Sequence, residues 1–142
     1  MKVLIPEKFN KAGIAVLEDA GYEVTFKPDT TPEELVEMIP EYDALIVRSA
    51  TTVTREVIEA GTKLKIIGRA GVGVDNIDVD YARSCGIAVR NTPGASSASV
   101  AELALAHMFA CARYISIAGH TMREDKWEKK AYGKGIELGG KT

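Results

Sequence analysis

Short β-branched runs alternate with amphipathic stretches through the first two-thirds of the chain. Lys2–Ile5 (KVLI) predicts a strand, which Pro6 ends. Lys8–Ala20 predicts a helix, apolar at Phe9, Ala12, Ile14, Val16 and Leu17 and stopped by Gly21. Tyr22–Phe26 (YEVTF) predicts a second strand, with a turn at Pro28-Asp29. Thr31, followed by Pro32 and then by Glu34 at the capping-box spacing, predicts a capped helix with Leu35, Val36 and Ile39 on its apolar face and Pro40 at its close. Asp43–Val47 (DALIV) predicts a third strand. Thr54–Ala60 then predicts a short helix, Leu64–Gly68 (LKIIG) a fourth strand, Val79–Cys85 a helix and Ile87–Val89 a fifth strand, with Gly61 and Gly86 as helix stops.

Strands alternating with helices predict an α/β fold with a doubly wound, parallel five-stranded sheet. Strands one, three and four are continuous apolar runs, as expected where helices cover both sheet faces. The pattern changes after Asn91-Thr92-Pro93-Gly94. Ser97–Met122 predicts one long helix, capped by Ser96 or Ser97. Val100, Leu103, Ala104, His107, Met108, Cys111, Ile115 and Ala118 fall on one side of it, and Leu105, Phe109 and Ala112 on another. A helix apolar on two sides is expected to be buried on both, so it is expected to cross into a second domain or a partner subunit. The expected organisation is a domain over 1–95, the crossing helix over 96–122, and the opening of a further domain over 123–142. That last stretch is rich in Lys and Gly and ends LGGKT, with no closing element in its pattern.

Composition narrows the function classes. A chain of 142 residues, 46% hydrophobic, is of single-domain size and needs no disulfide or metal staple. With 18 Lys+Arg against 20 Asp+Glu, the net charge of −2 argues against a basic nucleic-acid-binding surface. No apolar run reaches the roughly 18 residues of a membrane span, and MKVLIPEKFN lacks the ~7–15-residue apolar core of a secretory signal. A cytoplasmic protein with no membrane partner is expected. Cys85 and Cys111 are expected to be reduced, buried thiols, and neither shows metal-ligand spacing.

The most informative segment for chemistry is Gly68-Arg69-Ala70-Gly71-Val72-Gly73-Val74-Asp75-Asn76, at the carboxyl end of strand four, where open α/β sheets bind ligands. Glycines let a backbone approach a ligand closely, and successive N–H groups make an anion-binding concavity. The same glycines also suit a tight turn that needs positive φ. Asn76 stands where a dinucleotide fingerprint has its third glycine, and no Gly-Lys-Ser/Thr follows, so neither phosphate-loop pattern applies. Arg48-Ser49-Ala50-Thr51 follows strand three in the same way. Arg48 and Arg69 on one rim would suit a doubly charged anion, since guanidinium grips carboxylate and phosphate in a two-pronged fork. Otherwise they are two surface arginines in unrelated ion pairs.

Other pairings are less telling. His107 and Cys111 share a helix face but lack a third metal ligand nearby, so a buried histidine and a core thiol are expected. His120 lies near a helix end, Asp75 and Asp78 flank a turn, and the KWEKK run at Lys126–Lys130 reads as a solvated face. A phospho-receiver module is disfavoured, because Pro6-Glu7 and Arg48-Ser49 occupy the places of its acidic cluster and acceptor aspartate. A non-catalytic dimerisation module, pairing through the long helix, remains an alternative.

The run from Val47 to Arg113, above all GRAGVGVDNID and NTPG with SVAE after it, resembles the D-isomer-specific 2-hydroxyacid dehydrogenases, and the likeness extends through KWEKKAYGKGIELGGKT. Within that family the residues are most like the branch acting on 3-phosphoglycerate. The resemblance implies a flavodoxin-like substrate, or lid, domain followed by the interdomain helix. It implies that Ala70, Gly71, Val72 and Gly73 offer backbone N–H groups to a substrate carboxylate. It also implies that Arg48, Ser49 and Arg69 face a small phosphorylated 2-hydroxy acid, that Val72 lies next to the cofactor, and that Lys129 reaches the phosphate. The implied parent activity is NAD-dependent oxidation of 3-phosphoglycerate to 3-phosphohydroxypyruvate in serine biosynthesis. Related substrates (glycerate, glyoxylate, lactate) are the alternative. NAD would be bound mainly by a domain beyond Thr142 carrying GxGxxG and the family's catalytic Arg, Glu and His. The chain alone is therefore expected to hold no catalytic residue and no metal, to be inactive, and to form a homo-oligomer through the 97–122 helix.

Overall fold

The structure is a computed structural model that describes residues 1–141. The chain divides into two compact units, Met1–Ala95 and a second beginning at Ser96. The first unit holds a sheet of five strands, β1 (Lys2–Ile5), β2 (Glu23–Phe26), β3 (Ala44–Val47), β4 (Ile66–Arg69) and β5 (Ala88–Asn91), interleaved with α1 (Lys11–Asp19), α2 (Pro32–Met38), α3 (Arg55–Ala60) and α4 (Val79–Ser84). All pairings are parallel and the strand order is β2-β1-β3-β4-β5. This is the doubly wound, flavodoxin-like arrangement, whose order reverses between β1 and β3.

The apolar strand runs become the core because helices cover both faces. On one face Leu4, Leu45, Val47 and Ile67 pack with Leu35, Ile39, Val57, Ile58 and Ala82 from the α2, α3 and α4 side. On the other, Val3, Ile5 and Ala44 pack under Phe9, Ile14 and Leu17 around α1. Local chemistry sets the helix starts. Asn10 accepts from the Ala12 N–H, so α1 begins at Lys11 rather than at Lys8. Thr31 and Glu34 form a complete capping box on α2, and a 3₁₀ turn through Pro40 closes it. Strands β4 and β5 run later than their apolar cores predict, because Arg69 pairs with both Val47 and Asn91. The phenol of Tyr81 on α4 donates to Glu59 on α3 at 2.8 Å, and this bond pushes its pKa up to about 12.

The second unit contains α5 (Ser97–Ala112), α6 (Ile115–Arg123) and α7 (Lys129–Tyr132). The single long helix expected over 97–122 is two helices. Tyr114 adopts a left-handed conformation (φ 57°), and the segments bend by 63°. At the break the Ala112 carbonyl accepts from the Ile136 N–H at 3.0 Å instead of from the next helical turn. No residue of α5 is buried, so the expected double burial is not met within this unit. Cys85 and Cys111 are free and exposed, and His107 is exposed, which corrects the expectation of buried thiols and a buried imidazole. His107 and Cys111 lie on α5, and Cys85 is the residue that ends α4. No single helix is long and apolar enough to cross a membrane, and the described residues contain no metal-binding cluster of His, Cys, Asp and Glu.

Truncating Leu45, fully buried in the central strand, to Ala should cost about 2–5 kcal/mol, measured by urea unfolding. Asp43 carries a pH signature. Its carboxylate accepts from the Lys65 ammonium at 2.8 Å and from the Lys2 backbone N–H at 2.9 Å, and the Lys65 bond first, then the Lys2 bond, holds its pKa below the usual value. A carboxyl group depressed on folding contributes stability that is complete above the unfolded pKa of about 3.9 and is lost as pH falls through the folded value. Asp43→Asn should therefore lower Tm at pH 7, with the difference from the parent shrinking below about pH 4.

Candidate substrate site

Three loops leave the carboxyl ends of β1, β3 and β4 on one edge of the sheet. The β1 loop supplies Glu7, the one buried charged residue among those described, 7% exposed. Burying a carboxylate is costly unless its lone pairs are filled. Glu7 fills them with the N–H groups of Arg48 (2.7 Å), Thr51 (3.2 Å) and Ala50 (3.3 Å). The β3 loop is thus wrapped around an internal anion, and these three amides are unavailable to an external one.

The β3 and β4 loops are joined next. Residues Val47 and Arg69 are register partners, so Arg48 and Arg69 emerge on the same rim. The Arg48 carbonyl accepts from Arg69 Nε at 3.2 Å and from Asn76 Nδ2 at 2.9 Å, and Asn76 Nδ2 also donates to the Thr51 carbonyl at 2.6 Å. Asn76 Oδ1 is buried without a partner. Among the described residues neither arginine belongs to an ion pair. Arg48 Nη1 reaches only the Lys8 carbonyl, at 3.4 Å. Most of the five N–H donors on each guanidinium are left over. The reading of two surface arginines in unrelated ion pairs does not describe them.

The glycines of this loop do not serve a left-handed turn. Positive φ among the described glycines occurs at Gly21, Gly86 and Gly140, and not at Gly68, Gly71 or Gly73. A side chain at position 71 would run into the Arg69 guanidinium, which folds over Gly71, and one at position 73 would meet the Asp75 carboxylate at 2.7 Å. Of the four amides expected to face a ligand, two are spent inside the fold. Ala70 donates to the Val47 carbonyl at 2.8 Å and Gly71 to the Arg69 carbonyl at 2.9 Å. Among the described residues nothing accepts from the N–H groups of Val72 and Gly73. Both residues are exposed, Val72 at 46%.

Arg48, Ser49 and the Arg69–Gly73 segment are therefore brought together on one rim. A cleft of about 910 Å³ lies beside it at the β1/β3 reversal, lined in part by Glu7, Lys8, Thr31, Arg48, Ser49 and Thr54. Lys129 opens α7 in the second unit. The bracing roles of Glu7, Asn76 and Asn91 do not show in the sequence pattern. Glu7 left one signal, an acidic residue directly after the first strand and its terminating proline. The two asparagines left none beyond their place at strand and turn ends.

The described residues that match known proteins include this rim. The family described as D-isomer specific 2-hydroxyacid dehydrogenase, catalytic domain, matches residues 3–127. A hydroxypyruvate reductase of Thermotoga maritima is 62% identical over 110 residues, covering 78% of this chain and 36% of that protein. A D-3-phosphoglycerate dehydrogenase of Methanocaldococcus jannaschii is 51% identical over 142 residues, covering 100% of this chain and 27% of that protein. The chain thus spans about a third or less of these relatives. Among solved structures, a cofactor (NAD+) bound 3-phosphoglycerate dehydrogenase of Entamoeba histolytica superposes with a TM-score of 0.67 at 38% identity, covering 80% of this chain and 39% of that one. The chain belongs to the D-isomer-specific 2-hydroxyacid dehydrogenase family.

Proposed function

We propose that the Met1–Ala95 unit is the substrate-binding part of an NAD-dependent enzyme that oxidises 3-phosphoglycerate to 3-phosphohydroxypyruvate, the entry step of serine biosynthesis. The observation that carries the reading is the pairing of two unengaged amides, Val72 and Gly73, with two arginines outside any ion pair on the same rim. A 2-hydroxy acid with a phosphate at its far end has two anionic groups to place. The amides suit the carboxylate, and the guanidinium groups of Arg48 and Arg69 suit the phosphate, with the Ser49 hydroxyl beside them. Each charge-assisted hydrogen bond contributes about 1.5–3 kcal/mol.

NAD, when bound, accepts the hydride. The group here that fits a neighbouring nicotinamide is the Val72 side chain, apolar and exposed beside the free amides. This unit's part is to hold the substrate, orient its carbon and exclude water. No histidine belongs to the first unit, His107 and His120 both lying in the second, so we propose that the chain by itself does not turn over. A second reading, reduction of hydroxypyruvate or a related unphosphorylated acid, is favoured by the 62% identity to the Thermotoga protein.

The homo-oligomer is proposed to form through α5 and α6. Val100, Leu103, Leu105, Met108 and Phe109 on α5 are all exposed, as are Ile115, Ile117 and Met122 on α6. Two free thiols fit a reducing, cytoplasmic setting.

In an active enzyme containing this chain, Arg69→Ala should raise KM for 3-phosphoglycerate by about 10–100-fold, with a much smaller rise for glycerate in steady-state kinetics. Equal rises for the two acids would favour the second reading. Leu103→Glu together with Met108→Glu should convert dimers to monomers in light scattering, while the far-ultraviolet circular dichroism stays the same.

A further inference from the structure

We infer that Asn91, at the end of β5, is a positioning residue that aims the free amides of the glycine-rich loop. Asn91 Nδ2 donates to the Val72 carbonyl at 2.6 Å, and the neighbouring Thr92 N–H donates to the Gly71 carbonyl at 2.9 Å. No peptide bond is cis among the described residues. In a trans peptide the C=O and N–H point in opposite directions. The Gly71 carbonyl shares its peptide with the Val72 N–H, and the Val72 carbonyl shares its peptide with the Gly73 N–H. Holding both carbonyls toward the end of β5 therefore turns both N–H groups away from it, as a pair. The glycines leave this loop free to rotate its peptides, so the direction of its amides must come from outside the loop. Thr92 supplies it through backbone and Asn91 through a side chain, which makes Asn91 the substitutable half of the device.

The Asp75 carboxylate lies beside Gly73 but accepts nothing from its N–H. Anchoring the Val72 carbonyl fixes the peptide that carries this N–H.

The inference rests on the proposed carboxylate role of the Val72 and Gly73 amides, and the test separates the two. Glycolate, the simplest 2-hydroxy acid, is titrated into this chain labelled with ¹⁵N. In the parent, the Val72 and Gly73 amide protons should shift downfield as glycolate binds. Asn91→Ala should weaken binding about tenfold, the loss of one oriented charge-assisted bond, and should abolish the Gly73 shift while the β5 amide spectrum persists. Asn91→Gln, which keeps the donor on a longer stem, should recover part of the affinity. Asn91→Val, a good strand residue without a donor, replaces Asn91→Ala if that variant disturbs β5. Unchanged affinity and an unchanged Gly73 shift in the variant lacking the donor overturn the positioning role alone. Absence of any Val72 or Gly73 shift in the parent overturns the carboxylate reading and the inference with it.

Discussion

A buried carboxylate governs this rim. Glu7 sits where the strand order reverses, and the charge is kept inside by three backbone N–H groups from the loop after β3. In many α/β proteins the same place receives a ligand's anion. Here the protein supplies its own anion and closes the loop onto it. The two guanidinium groups and the Val72 and Gly73 amides beyond β4 stay outside these bonds. The engagement of those three amides follows from one electrostatic necessity, that a charge removed from water must be fully hydrogen-bonded.

The second level is carbonyl anchoring. Arg48 presents its carbonyl to Arg69 and Asn76, and the glycine-rich loop presents its carbonyls to Asn91 and Thr92. The carbonyls of Arg48, Gly71 and Val72 are engaged within the protein, while the N–H groups of Val72 and Gly73 are not. Unengaged amides and guanidinium groups can gather on one rim whatever the net charge, which for the whole chain is −2. An overall charge close to neutral is therefore compatible with a local preference for anions.

Much of the fold was legible from periodicity. The continuous apolar runs of β1, β3 and β4 announced a sheet covered on both faces, and the Thr31–Glu34 spacing announced the capping box that forms. What stayed hidden depends on partners distant in sequence. The bonds to Glu7 span 41 to 44 residues, and the bond from Asn91 to Val72 spans 19. The late ends of β4 and β5 belong to pairing across the sheet. At the break after Ala112 the carbonyl's partner is Ile136, far downstream, and the apolar spacing runs through that break uninterrupted. The rim arginines were found because they follow strands in equivalent positions. Their braces were missed because an asparagine's partner cannot be read from its neighbours.

The elbow at Tyr114 changes what can cover the hydrophobic surface on either side of it. An unbroken rod of this length would offer one straight seam, which a single parallel or antiparallel neighbour could follow. A turn of 63° splits the seam in two and points the halves along different axes. α5, with 16 residues, is about 24 Å long and α6 is shorter. Whatever shields both halves has to be concave or itself jointed, so the surface selects its cover by shape as well as by greasiness.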